Sequence, residues 1–251
     1  DINQALSTDI TSNSLYDTPT LAQLIQKVEQ NVQNVQNSSV LSKQNSTTQH
    51  PVPKASHFNP LVLLQAGSDD NKRPIFLVHA AGGGLIQFSN IVKKLGSEFT
   101  VYGFESPPEL PQNNIEELAH TYVSALLEAY PNEREFILGG HSFGPVVALE
   151  MAHQLIAKGY DVTDMLLIDP PGPNKMPQRA ETYDDILLHL NDGAVALDTQ
   201  KMAAMSLDEK VSYFKSACGD ELWRKRFYII TPTYVKNFKK QLDMMFEYHF
   251  K

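Results

Sequence analysis

The sequence predicts an α/β protein, a mostly parallel sheet covered by helices on both faces. Three observations carry that expectation. From residue 59 onward, short apolar runs of strand length alternate with helical stretches. The strand-like runs are apolar without interruption, as strands buried on both faces are. Between the run Phe136-Ile137-Leu138 and a helical stretch from Pro145 to Lys158 lies Gly139-Gly140-His141-Ser142-Phe143-Gly144. That is a strand, a tight turn with a serine at its tip, and a helix.

Residues 1–36 form the first unit. Thr20-Leu21-Ala22-Gln23 has the form of a capping box, with Pro19 just before it. Leu21, Leu24, Ile25, Val28, Val32 and Val35 follow at helical spacing. One amphipathic helix cannot build a core alone, so it is expected as a docking helix or as the last helix of a domain that begins upstream. Residues 37–58 are rich in Ser, Asn, Gln, Thr and Pro and read as a flexible linker. His50 and His57 there have no Cys or acidic companions that would make a metal site.

Residues 59–251 are the expected catalytic domain. Leu61 to Gln65 and Ile75 to His79 are predicted strands, joined by a turn at Asp69-Asp70-Asn71-Lys72 and able to pair as neighbours. A loop, His79-Ala80-Ala81-Gly82-Gly83-Gly84, leads to a helix from about Leu85 to Leu95, then a strand from Phe99 to Phe104. Ile115, Leu118, Ala119, Tyr122, Val123, Leu126, Leu127 and Tyr130 make a helical stripe, with Asn114 and Glu117 placed to cap it. The helix after the serine turn closes at Gly159, and the strand Met165 to Ile168 runs into Asp169-Pro170-Pro171-Gly172-Pro173. Beyond Pro173 the strand rhythm stops. Tyr183 to Leu190, Leu207 to Ala217 and Thr233 to about Tyr248 read as helices, with a short strand expected at Phe227 to Ile230. The insertion at about 174–232 is expected to lie over the C-terminal edge of the sheet as a lid.

Composition narrows the function. With 251 residues the chain is long enough for one large domain or for one domain plus an appendage, and its net charge of −8 with no outstanding Lys/Arg cluster argues against nucleic-acid binding. The single cysteine, Cys218, allows no disulfide within the chain, which fits a cytoplasmic protein. No apolar run approaches the ~18 residues of a membrane span. The first residues, Asp-Ile-Asn-Gln, are neither a signal peptide nor an initiating methionine, so a piece of a longer chain is expected.

Gly140-x-Ser142-x-Gly144 between a strand and a helix is a nucleophile elbow, the signature of the α/β-hydrolase fold. So sharp a turn strains the serine and requires very small residues two positions to either side. It lifts the hydroxyl above the sheet, where the Phe143 N–H and the positive end of the new helix can face an oxyanion. In an open α/β sheet, reactive groups collect at the C-terminal ends of strands. Asp169 ends the next strand and is the candidate acid; a solvated strand-end aspartate is the plainer reading. Ala80-Ala81-Gly82-Gly83 carries little side chain and can bring a second oxyanion N–H close to a substrate. A serine also needs a base. In this fold the histidine follows the acid, and only His189 and His249 do so. His189 falls on a lid helix, and His249 follows a helix rather than a strand, which makes it a weak candidate. His141 is expected to support the turn, while His79, His120 and His153 precede the acid.

Three motifs carry a resemblance to a known family. Pro74-Ile75-Phe76-Leu77-Val78-His79-Ala80-Ala81-Gly82-Gly83, Gly139-Gly140-His141-Ser142-Phe143-Gly144 and Leu166-Leu167-Ile168-Asp169-Pro170-Pro171 are similar to those of the thioesterase domains that end polyketide synthases and nonribosomal peptide synthetases. Ser14-Leu15-Tyr16-Asp17-Thr18-Pro19-Thr20-Leu21-Ala22-Gln23-Leu24 resembles the end of an acyl- or peptidyl-carrier domain. The resemblance implies that Ser142 is acylated, that Asp169 is the triad acid, and that Ala81 and Phe143 supply the oxyanion N–H groups, with Ala80 the alternative to Ala81. It implies no cofactor in the thioesterase domain itself. Phosphopantetheine is implied on the upstream carrier, attached to a serine outside this chain. The family's closing strands and catalytic histidine would come after Lys251.

The expected function is therefore release of an acyl or peptidyl chain from a carrier thioester, by hydrolysis or cyclisation. The partners are a carrier domain of the same megasynthase and an acyl-chain substrate, without nucleic acid or membrane. Leu187, Leu188, Met202, Met205 and Phe214 could cover such a substrate or simply pack the lid. A general esterase or lipase of the same fold and a non-catalytic scaffold fragment are the alternatives.

Overall fold

The computed structural model describes residues 58–69, 71–107, 109–170 and 180–248. The carrier-like segment, all of the linker but Phe58, and His249 lie outside the described residues.

Five strands form one sheet: β1 (Leu61–Gln65), β2 (Ile75–Val78), β3 (Val101–Phe104), β4 (Glu135–His141) and β5 (Asp161–Ile168), in the order β1-β3-β2-β4-β5. β2, β3, β4 and β5 are parallel, and β1 joins β3 antiparallel. This corrects the expected pairing of the first two strands. β3 lies between them, with Leu61 opposite Phe104 and Ile75 opposite Val101. The turn at Asp69 links two strands that do not touch, because apolar β3 contributes buried residues to both faces and takes the space between them.

The strands alternate as the two-residue period requires. Phe76, Val78, Phe104, Phe136 and Leu138 face one side. There they pack against α2 (Ile115–Ala129) and α3 (Gly144–Ala157). Ile75, Leu77, Val62 and Val101 face the other side, against Leu85, Phe88 and Val92. Those three come from a 3-10 turn, Ile86–Phe88, the residue before it, and the short helix α1 (Ser89–Leu95). The expected helix from Leu85 thus begins as a tighter turn. α2 starts as its sequence indicated: the Asn114 side chain accepts from the Glu117 N–H at 2.8 Å, and Glu117 Oε2 accepts from the Asn113 N–H at 2.9 Å. α3 ends at Gly159, whose φ of +83° suits glycine.

The lid is helical. α4 (Tyr183–Asn191) and α6 (Leu207–Leu222) each start with a reciprocal cap, Thr182 with Asp185 and Ser206 with Glu209. Between them lies a short helix that the sequence reading missed, α5 (Thr199–Ala203). The expected strand at Phe227 to Ile230 is absent; a π-helical turn spans Trp223–Phe227 instead. Trp223 and Phe227 pack on Phe214 and Ile230 is buried in the same cluster, a packing that needs a helical turn rather than an extended segment. Leu187, Met202 and Phe214 are fully buried within the lid, so they form its own core. Leu188 alone of that group is exposed, and Met205 is half-buried.

α7 (Pro232–Glu247) connects lid and sheet. Val235 and Phe238 near its start belong to the lid cluster, and Met244 and Met245 near its end belong to the main core. Its end is tied down by Tyr248, whose hydroxyl donates to buried Glu150 of α3 at 2.7 Å. No described helix is long and apolar enough to cross a membrane.

Candidate active site

The serine turn has the geometry its residues dictate. Ser142 has φ +57°, in the left-handed region that serine rarely enters. A Cβ on Gly140 would collide with the backbone of Gly144, and one on Gly144 with the carbonyls of Val78 and His79. Both glycines are therefore required for α3 to start against β2 and β4. Ser142 is half-buried at the C-terminal end of the sheet, its N–H donating to the Ile168 carbonyl at 3.0 Å. Phe143 is buried and precedes the first turn of α3, so its N–H is one of the donors that a helix start leaves unpaired.

Asp169 immediately follows Ile168, at the exposed end of β5, and has φ +46°. Since Ile168 is opposite His141 in the β4–β5 register, Ser142 and Asp169 leave adjacent strand ends side by side. The two prolines and the glycine that follow Pro170 lie outside the described residues.

The loop after β2 lies against the elbow. His79 is fully buried, with Nδ1 2.7 Å from the Ala80 carbonyl and Nε2 2.7 Å from the Tyr122 hydroxyl. A carbonyl only accepts, so the ring is protonated on Nδ1 and accepts from Tyr122 at Nε2. Burial lowers the His79 pKa from 6.5 to about 4, which keeps the ring neutral. Its ring stacks on Phe143 with centroids 5.8 Å apart. The Gly82 N–H donates to Gln241 Oε1 at 2.7 Å and the Gly83 N–H to the Ala80 carbonyl at 3.1 Å. Among the described residues, neither the Ala80 nor the Ala81 N–H has an acceptor. Those two N–H groups are the alternatives the sequence offered for the second oxyanion donor.

The structure does not bring a histidine to Ser142 and Asp169 among the described residues. His79 is committed to Tyr122 and Ala80, and His189 is exposed on α4 beside Phe238. His141 Nδ1 is buried without a hydrogen-bond partner among the described residues. No group of three or more His, Cys, Asp or Glu converges in a metal-binding arrangement among the described residues. Sequence reasoning missed Gln241 and Tyr122. The signal for Gln241 was a polar residue on the otherwise apolar stripe Val235, Phe238, Met245; its partner Gly82 is 159 positions away.

A left-handed serine at a strand-to-helix elbow, in a parallel sheet with a helical insertion after the next strand, defines an α/β-hydrolase. A thioesterase-domain family model matches residues 73–216, and the chain belongs to that family. It is 32% identical over 160 residues to the nonribosomal peptide synthetase pngA of Aspergillus terreus, covering 61% of this chain and 16% of that protein. It is 29% identical over 171 residues to the non-reducing polyketide synthase ntnG of a Nectria species, covering 66% of this chain and 8% of that one. The chain thus spans a small part of the curated relatives it matches. Among solved structures, a four-domain nonribosomal peptide synthetase bound to AMP and glycine superposes with a TM-score of 0.65 at 18% identity, over 99% of this chain and 18% of that one. The NocB thioesterase domain, in covalent complex with a fluorophosphonate nocardicin G analogue, superposes with a TM-score of 0.51 at 22% identity, over 71% of this chain and 67% of that one. These likenesses show the fold.

Proposed function

We propose that this chain releases an acyl or peptidyl chain from its thioester on a carrier domain. The observation that carries the reading is the strained Ser142 elbow, in a thioesterase-family chain, beside the uncommitted N–H groups of Phe143 and Ala81. Ser142 Oγ attacks the thioester carbonyl, and its proton passes to a histidine base, which no described residue provides. Charge on the carbonyl oxygen is met by the Phe143 and Ala81 N–H groups. The C–S bond then breaks, the thiol leaves with the proton, and an acyl-serine remains. Water, or a hydroxyl or amine of the same chain, attacks that ester and frees an acid, lactone or lactam. Asp169 orients the base and stabilises its charged form.

The carrier and its phosphopantetheine arm belong to the substrate side of this reaction. The relatives named above are multidomain synthases, which supports a carrier domain of the same megasynthase as partner. On the same reading residues 1–36 are the end of that carrier, 37–58 the linker and 59–251 the thioesterase domain, with the lid at about 174–232, in a cytoplasmic protein. Turnover of an acyl-pantetheine thioester against the matched oxygen ester tests the reading. Preference for the thioester supports it, and preference for the oxygen ester favours a general esterase.

A further inference from the structure

Ala81 lies between two peptide planes, and each is held by a different side chain. On one side, the Ala80 carbonyl accepts from His79 Nδ1 at 2.7 Å and from the Gly83 N–H at 3.1 Å. Described peptide bonds are trans, and in a trans plane the N–H points opposite to the carbonyl, so this fixes the direction of the Ala81 N–H. On the other side, the Gly82 N–H donates to Gln241 Oε1 at 2.7 Å, which fixes the Ala81–Gly82 plane. Gln241 is itself fully buried, and its Nε2 donates to Ser106 Oγ at 3.2 Å. The Ser106 N–H in turn donates to the Gly83 carbonyl at 3.0 Å. With both planes set, the Ala81 backbone has no soft torsion left.

The two constraints have different origins. His79 belongs to the sheet and is braced by Tyr122 of α2. Gln241 belongs to α7, whose preceding turns carry Val235 and Phe238 in the lid cluster. The Tyr234 ring on the same helix lies against Gly82, leaving no room for a Cβ there. Ala81 itself packs against both the lid cluster and the main core.

We propose that Gln241 is a positioning residue for the second oxyanion donor: it aims the Ala81 N–H from the lid-bearing helix by holding the next peptide plane through Gly82. This rests on the reading of Ser142 as the acylated residue. Gln241 touches no reacting atom. Its effect falls on the chemical step and leaves substrate capture unchanged. The acceptor matters more than the amide: a buried, protonated glutamic acid has nearly the same shape, accepts from Gly82 and donates to Ser106.

The test compares Gln241→Met, Gln241→Glu and Ser106→Ala with the parent in two measurements. The first is saturation kinetics of Ser142 phosphonylation by an alkyl fluorophosphonate. Gln241→Met is expected to lower the maximal rate about 10- to 100-fold, less than outright loss of an oxyanion donor, with the half-saturating concentration within about twofold. Gln241→Glu is expected to restore most of that rate. Ser106→Ala, which keeps every backbone bond, is expected to lower it a few-fold. The second measurement is the amide NMR spectrum. The Gly82 and Ala81 resonances should move in Gln241→Met and stay near their parent positions in Gln241→Glu. An unmoved Ala81 amide in Gln241→Met overturns the inference, as does a Gln241→Glu protein as slow as Gln241→Met. Failure of the parent to react at Ser142 overturns the thioesterase reading instead, and the amide comparison still judges the role of Gln241.

Discussion

The backbone N–H of Ser142 donates to the carbonyl of Ile168 at 3.0 Å, so the elbow tip and the residue before Asp169 are joined across neighbouring strands. On either side of that bond sit two non-glycine residues in left-handed conformation, Ser142 at φ +57° and Asp169 at φ +46°. Strain of this kind persists only where the surroundings over-determine it. Here the β4–β5 pairing and the collision-free glycines at 140 and 144 do so.

Ser142→Gly is expected to stabilise the protein while removing the hydroxyl. Glycine takes φ +57° without the side-chain clash, worth roughly 1–2 kcal/mol, and loses somewhat less to its extra freedom when unfolded. A net gain of about 0.5–1 kcal/mol over Ser142→Ala should be visible in urea titrations.

Asp169→Asn separates charge from backbone. Asparagine tolerates the left-handed region as well as aspartate does, so the strand end should be unchanged. Steady-state thioester turnover is expected to fall about 10³- to 10⁴-fold, with the melting temperature within a degree or two. An unaffected rate would return Asp169 to the role of a solvated strand end.

Gly144→Ala drives a methyl group into the Val78 and His79 carbonyls. Neither is a flexible side chain, so α3 must move away from β2. A loss of about 1–3 kcal/mol is expected, together with loss of reactivity at Ser142, measured by thermal unfolding and fluorophosphonate labelling.

His79 makes stability depend on pH. Its pKa falls from 6.5 to about 4 on burial. Between those values the unfolded chain binds a proton that the folded chain refuses. The contribution is therefore complete above pH 6.5 and is lost as pH falls toward 4, by about 3 kcal/mol in all. Imidazole ¹⁵N shifts should show a neutral ring protonated on Nδ1 from pH 8 to 5, while urea midpoints decline below pH 6.5. A ring that titrates near 6.5 would contradict the Tyr122–His79–Ala80 arrangement.

Local signals were the legible ones. The elbow, the cap at Asn114 and Glu117, the strand cores and the lid's helical character follow from residues close together in the chain. Long-range pairing was not legible. β1 and β2 looked like neighbours because a turn joins them, yet the choice of β3 as their common partner is made by side chains 26 to 43 residues away. Phe227 to Ile230 looked like a strand because its four aromatic or β-branched residues favour one in isolation; burial of Phe227 and Ile230 in the lid cluster overrode that. The donors of the loop after β2 could be narrowed to Ala80 and Ala81 but not aimed, since Gln241 and Tyr122, which act on that loop, come from other elements.

The central claim is that Ser142 is the residue acylated by the thioester. Intact-mass analysis of the chain after incubation with an acyl-pantetheine thioester or an alkyl fluorophosphonate tests it most directly. The account predicts a single adduct, mapped by peptide sequencing to Ser142 and absent from Ser142→Ala. An adduct elsewhere, or none on Ser142, would contradict it.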